Sequence, residues 1–302
     1  MGDVGRVGRV SRVGRVGRVG WLGLVAWVAW ALSPAASADV DKYEVYAVRF
    51  ATIANFRVAS LISGADPSRR LDIAMMIWVL KGVDGRMAIV DTGFHREQHF
   101  KQFAVKGYIS PAEAIAPLGL TAGQVTDILL THMHWDHAGG IDLFPNARIW
   151  IQKEEYDYYT SDAWQSRSTH GGIDADDVLE IVRRNTQGKV SFVRGDDDVS
   201  LSDITFGVGG KHTWQSQFVT AATRSQVAVL ASDNMYLYEN LGAHTPIAQT
   251  LDAASNLRTQ DRMKSLASEP RLLIPGHDPA VFERFPRVTD RIVRIVNLPR
   301  RS

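Results

Sequence analysis

Thr131-His132-Met133-His134-Trp135-Asp136-His137 is the stretch that decides the fold of this chain. Three of the nine histidines stand here with an aspartate, directly after the mostly apolar run 125–130. Such a run reads as a buried strand. At a strand end, His132 and His134 lie two residues apart and send both imidazoles to the same side. Gly139-Gly140 then demands a turn just beyond Asp136 and His137. Imidazole and carboxylate are ligands for zinc and similar first-row ions. The stretch is therefore a candidate metal site.

Four other stretches extend the pattern. Upstream is Ala88-Ile89-Val90-Asp91-Thr92-Gly93, and downstream is Gly209-Gly210-Lys211-His212-Thr213. The apolar run 227–230 leads into Ala231-Ser232-Asp233, and Leu272-Leu273-Ile274-Pro275-Gly276-His277 follows. The H-x-H-x-D-H spacing, with these pieces in this order, resembles the metallo-β-lactamase superfamily over residues 43–285. The resemblance implies an α+β fold, a four-layer αββα sandwich. It implies that His132, His134 and His212 hold one metal ion and that Asp136, His137 and His277 hold a second. Asp233 would bridge the pair. Two cations about 3.5–4 Å apart can share a hydroxide, each drawing the pKa of bound water toward ~7. Single-metal members of the superfamily lack part of this set, so the implied cofactor is two divalent ions, with zinc expected. Asp91 either orients a ligand or is a turn aspartate bonding its own backbone.

Composition agrees. A hydrophobic content of 45% over 302 residues is ample for a buried core. Five arginines fall in residues 1–38 against one acid, Asp3, and the rest carries 29 basic against 32 acidic side chains. That balance argues against a nucleic-acid partner. There is no cysteine, hence no disulfide framework and no thiolate ligand.

Residues 4–19 repeat Val-Gly-Arg, the run 21–32 is apolar, and Ala36-Ser37-Ala38 is a small-x-small site. Together, residues 1–38 read as a secretory signal peptide. The run is short for a membrane span, which needs about 20 apolar residues. The expectation is a mature domain over residues 39–302, periplasmic or secreted, with no stable membrane association.

Within that domain, residues 43–50 and 71–80 read as strands. Residues 51–70 read as a long loop of the kind that forms lids. Ser110-Pro111-Ala112-Glu113 reads as a capping box, and residues 148–152 as a strand. Residues 153–187 read as an inserted helical segment, with Val178, Leu179 and Val182 as the apolar stripe of its second helix. His95, His99, His170 and His244 read as solvated. Gly195-Asp196-Asp197-Asp198 reads as a solvated turn, since the spacing of a calcium loop is missing. The basic tail with Arg300 and Arg301 also reads as solvated. Trp135 and Trp214 are open between a substrate wall and core packing.

The fold alone leaves the reaction open. Asp233 stands where β-lactam-cleaving branches carry cysteine or serine. Asp233-Asn234-Met235-Tyr236 resembles the D-x-x-Y of N-acyl homoserine lactonases, whose tyrosine meets the substrate carbonyl. No basic cluster near His277 suits glutathione. The run 210–217 departs from the lactonase P-G-H-x-x-G-H-Q-S by placing Ser216 at the second histidine. The resemblance implies a small-molecule lactone or ester as substrate and attack by a metal-bridging hydroxide. Tyr236 would polarise the carbonyl and Asp136 would act as general acid. The alternatives are a hydrolase of another ester, thioester or β-lactam, a non-catalytic binding protein, and an iron redox enzyme.

Overall fold

The computed structural model describes residues 43–166, 170–196, 201, 203–222 and 226–296. The expected signal peptide, Asp197, Asp198, Arg300 and Arg301 lie outside the described residues. Among the described residues no helix is long and apolar enough to cross a membrane.

The strands are β1 (Tyr43–Arg57), β2 (Arg70–Gly82), β3 (Met87–Val90), β4 (Val105–Lys106), β5 (Asp127–Leu129), β6 (Arg148–Gln152) and β7 (Val190–Val193). Then follow β8 (Ile204–Val208), β9 (Gln217–Ala222), β10 (Val227–Ser232), β11 (Leu273–Pro275), β12 (Arg287–Thr289) and β13 (Ile292–Val296). One sheet runs β12-β13-β1-β2-β3-β5-β6-β7, with β4 also on β1. The other runs β11-β10-β9-β8.

Side-chain alternation builds the layers. Tyr43, Val45 and Ala47 of β1 and Ala74, Met76 and Trp78 of β2 face the second sheet, meeting Phe206, Val219 and Leu230. Val48, Ile73, Ile77 and Ile149 point the other way, toward Ala114, Val178 and Ile181 of the helices. Met263, on helix Ala253–Leu266, covers the outer face of the second sheet at Val229 and Leu273. Two sheets between helical layers match the expected αββα order.

Some expectations need correction. Residues 51–57 are strand, because β1 continues through two bulges against β2, between Arg49 and Ala51 and between Ile53 and Phe56. At the second, Asn55 takes a positive φ of 58° and its N–H donates to Asp72 Oδ1 at 2.7 Å. Bulges hide a strand's period. The irregular segment shrinks to residues 58–69. Helix Pro111–Ala114 forms, but Ser110 makes no side-chain cap. At Thr121, by contrast, the Gln124 side-chain oxygen accepts from the Thr121 N–H at 2.8 Å and from its hydroxyl at 3.0 Å. In helix Ala175–Thr186 the buried face is Asp177, Val178, Ile181 and Arg184, while Leu179 is 67% exposed. Arg184 is buried because its guanidinium donates to the carbonyls of Ile141, Phe144 and Pro145. A guanidinium can thus occupy a position that pattern reading reserves for an apolar residue.

Candidate metal centre

The site forms where strand ends converge. β3 and β5 are parallel, and so are β10 and β11. Their C-terminal ends deliver Asp91, the 130–137 segment, Asp233 and His277. The loop between β8 and β9 delivers His212. His134 precedes the single helical turn Trp135–Ala138, which carries Asp136 and His137.

These residues meet as two groups. His132, His134, His212 and Asp233 offer ligand atoms all within 4.8 Å of one another, as do Asp136, His137 and His277. His134 Nδ1 is 3.1 Å from His132 Nε2 and 2.8 Å from His212 Nε2. Nitrogens about 2.0–2.1 Å from a tetrahedral zinc stand roughly 3.3 Å apart, so the spacing suits one ion. Asp233 lies between the groups. Its Oδ2 is 3.3 Å from His212 Nε2, and its Oδ1 is 3.0 Å from His277 Nε2 and 3.3 Å from His137 Nε2. Asp136 Oδ2 is 3.6 Å from both His137 Nε2 and His277 Nε2.

The outward nitrogens establish which atoms remain for a metal. His212 Nδ1 donates to Gln249 O at 2.7 Å, and His277 Nδ1 donates to Ala74 O at 3.0 Å. His137 Nδ1 donates to Asp91 Oδ2 at 2.8 Å, and His132 Nδ1 sits 2.9 Å from Thr131 Oγ1. These bonds select the tautomer that leaves Nε2 free for coordination. His134 is turned the other way. Its Nδ1 faces the centre, and its Nε2 side packs on Gly172, where an added Cβ would come within 3.0 Å of that nitrogen. Gly172 also has φ of +80°, so two constraints demand glycine there. Gly276 lets Asp233 approach, since a Cβ would stand 2.8 Å from its Oδ1.

The electrostatics fit a cation site. Burial and neighbouring imidazoles hold His132 and His134 well below the usual histidine range, in the neutral form that ligates. Burial opposes charge on His137 as well, yet Asp233, Asp136 and Asp91 raise it well above that range. His137 Nε2 and Asp233 Oδ1 are buried without a hydrogen-bond partner. Orphaned buried polar atoms are costly, and an ion between them would satisfy both. The residues therefore fit a metal.

A cavity of about 530 Å³ opens onto the centre. Ile53, Phe56, Leu61, Phe103 and Trp135 form much of its wall, with Gln102, Gln249 and Tyr236 as polar members. No lysine or arginine lines it among the described residues. Tyr236 is 3% exposed, with its hydroxyl 3.5 Å from His212 Nδ1. Burial, reinforced by the Asp233 and Asp136 charges, raises the Tyr236 phenol well above its ordinary value. It therefore keeps its proton and can donate.

Asp91 holds the candidate ligand His137 and is no simple turn residue. Thr131 N–H and O–H, Ser232 O–H and His137 Nδ1–H all point to its carboxylate. Trp135 lines the cavity and stacks on His99 at 4.2 Å and Phe103 at 4.9 Å. Trp214 fits neither expectation. It is 41% exposed, stacks on Tyr158 at 4.1 Å, and does not line the cavity. His99 is not solvated, because the Trp135 indole covers it. His170 is half-buried against Trp164, while His95 and His244 pair with Asp142 and Asp261 at the surface. Thr131, Ser232, Glu155 and the cavity residues Ile53 and Phe56 escaped sequence reading, since their roles are contacts to distant segments.

The family described as metallo-beta-lactamase superfamily matches residues 75–277. The chain is 25% identical to the N-acyl homoserine lactonase of Bacillus cereus over 234 residues, 73% of this chain and 87% of that protein. It is 27% identical over 191 residues to the N-acyl homoserine lactonase AttM of Rhizobium johnstonii, 61% of this chain and 69% of that one. Among solved structures, a B. thuringiensis AiiA variant with N-decanoyl-L-homoserine at its active site superposes with a TM-score of 0.64. Identity there is 20%, covering 80% of this chain and 96% of the other. A dizinc quorum-quenching lactonase, AidC, superposes with a TM-score of 0.59 at 18% identity, covering 80% and 92%.

Proposed function

We propose a function on one premise: the chain belongs to the metallo-beta-lactamase superfamily. Within it, the protein is a hydrolase that opens the lactone ring of N-acyl homoserine lactones or a closely similar neutral lactone, using two divalent ions. The observation that carries this reading is the buried Tyr236 side chain lining the cavity, beside a centre whose Asp233 oxygens face two different ligand groups. The names of the sequence relatives support the same substrate class.

Zinc or a similar pair of ions would supply an activated hydroxide and charge stabilisation. His132 Nε2, His134 Nδ1 and His212 Nε2 would hold one ion. Asp136, His137 Nε2 and His277 Nε2 would hold the other, with Asp233 shared. Tyr236 donates a hydrogen bond to the substrate carbonyl oxygen, and more strongly as negative charge develops there. Asp136, whose Oδ2 is 3.6 Å from His137 Nε2 and His277 Nε2, takes the proton of the attacking hydroxide and returns it to the leaving alkoxide. Ile53, Phe56, Leu61 and Trp135 seat an apolar acyl chain and exclude water. Among the described residues no lysine or arginine lines the cavity, which disfavours substrates carrying an anionic group away from the ions, because burying an unpaired anion is costly.

The test compares wild type and Tyr236→Phe on homoserine lactones, thioesters, β-lactams and simple esters. Neutral lactones should be turned over fastest by the wild type. The phenylalanine variant should keep its metal and lose about 10-fold in turnover, less than the 10²–10³ of a sole oxyanion donor because the ions share the charge. Faster turnover of thioesters or β-lactams would overturn the substrate class. Unchanged lactone kinetics in the variant would remove the role of Tyr236.

Export belongs to the same reading. The arginine-rich start, the apolar run and Ala36-Ser37-Ala38 support cleavage after Ala38 and a periplasmic or secreted product. Intact mass of the native protein should correspond to a chain starting at Asp39. A chain retaining residues 1–38 in a cytosolic fraction contradicts this.

A further inference from the structure

We propose that Glu155 is a positioning residue that sets the His132/His134 loop in register with the His212 loop, and so shapes one half of the metal centre. This rests on the two-ion reading above. Glu155 is the third residue of helix Lys153–Thr160, far in sequence from both loops, and is 0% exposed. Its Oε1 accepts from Met133 N at 3.0 Å and from Thr213 Oγ1 at 2.8 Å. Its Oε2 accepts from Gln215 N at 2.7 Å.

The identity of these donors carries the inference. Met133 lies between His132 and His134, and Thr213 directly follows His212. One carboxylate thus clamps the two segments whose imidazoles stand 2.8 Å apart at His134 Nδ1 and His212 Nε2. Both amide N–H groups can only donate, and an ionised carboxylate only accepts. Its place in the first turn of a helix also favours negative charge. A glutamine of the same shape would turn an NH₂ group toward at least one of these donors. The clamp then loses a bond and the loops lose their shared reference. None of the three bonds involves Asp136, His137 or His277, so that half of the centre should not respond.

The experiment reads metal binding rather than turnover. Glu155→Gln is made in His277→Ala and His212→Ala backgrounds, which isolate the two halves. Cobalt affinity is measured by chelator competition, the cobalt absorption spectrum is recorded, and the Tm of each metal-free protein is taken. Loss of a partner that orients ligands weakens a metal site by about 10–100-fold. A loss of that size is expected where His132, His134 and His212 remain, with a changed cobalt spectrum. No change is expected where Asp136, His137 and His277 remain. A lowered metal-free Tm with unchanged cobalt affinity and spectrum in both backgrounds would mean that Glu155 is merely structural, which overturns the proposal. Thr213→Val removes one donor with little change in shape and serves if Glu155→Gln fails to fold. It should weaken the same half by a smaller factor, and unchanged affinity in a folded Thr213→Val variant also overturns the proposal. If the parent chain binds no transition metal at all, the two-ion reading falls and this inference with it. If the parent binds two ions and Glu155→Gln binds them equally well, only the inference falls.

Discussion

Asp233→Ala is expected to reduce lactone turnover by at least about 10³-fold, the upper end of what one missing stabiliser of developing charge costs. Its two oxygens face different ligand groups, so on the two-ion proposal this one substitution would strip a ligand from both ions. Metal analysis of the mature chain should give two transition-metal ions, falling toward zero in Asp233→Ala. A chelator should abolish activity, and zinc, cobalt or manganese should restore it. His212→Ala and His277→Ala should each loosen a different ion. One tightly bound metal in the wild type, with no gain on adding more, would rule out the two-ion mechanism. Removing one partner from a buried charged cluster also costs about 3–5 kcal/mol of stability, so thermal unfolding is measured alongside, and lost turnover in a folded Asp233→Ala variant assigns the effect to the ions.

Asp91→Asn should produce the next largest effect, weakening the ion at His137 by about 10–100-fold. Asp91 sits at the end of β3 with φ of 61°, a conformation more accessible to aspartate than to most side chains. Its carboxylate accepts from the Thr131 backbone and hydroxyl and from Ser232, and holds the Nδ1 proton of His137. The asparagine NH₂ group must face one of these donors. If Asp91 only braced the turn, the variant would lose about 1–3 kcal/mol of stability for an unsatisfied buried group and keep wild-type cobalt affinity. Chelator competition together with thermal unfolding separates these outcomes. A cobalt affinity equal to wild type would show that His137 does not depend on Asp91.

Much of this was legible in sequence where the signal is local. The strand-then-ligand pattern repeats at residues 125–137, 227–233 and 272–277, and each apolar run ends where its ligands begin. Strands β6 and β2 were readable for the same reason, with β6 matching its expected bounds exactly as residues 148–152. Reading failed where a distant partner changes a residue's environment. His99 looked like a solvated histidine because nothing near it in sequence announces the Trp135 ring. Leu179 looked like core because its composition suits a stripe, but the helix is rotated so that Arg184 reaches three carbonyls.

By itself, the sequence determined the residue types that can ligate a metal, their order along the chain and the strands that end at them, because periodicity and ligand chemistry are properties of short segments. Only the tertiary structure decided which imidazole nitrogen faces the centre, how Asp233 divides its oxygens, and that Ile53 and Phe56 wall the cavity. It also decided that Glu155 joins two loops. The physical reason is directional. A hydrogen bond or a coordinating lone pair depends on angles and on distances of about 3 Å, and those follow only once strands remote in sequence pack side by side.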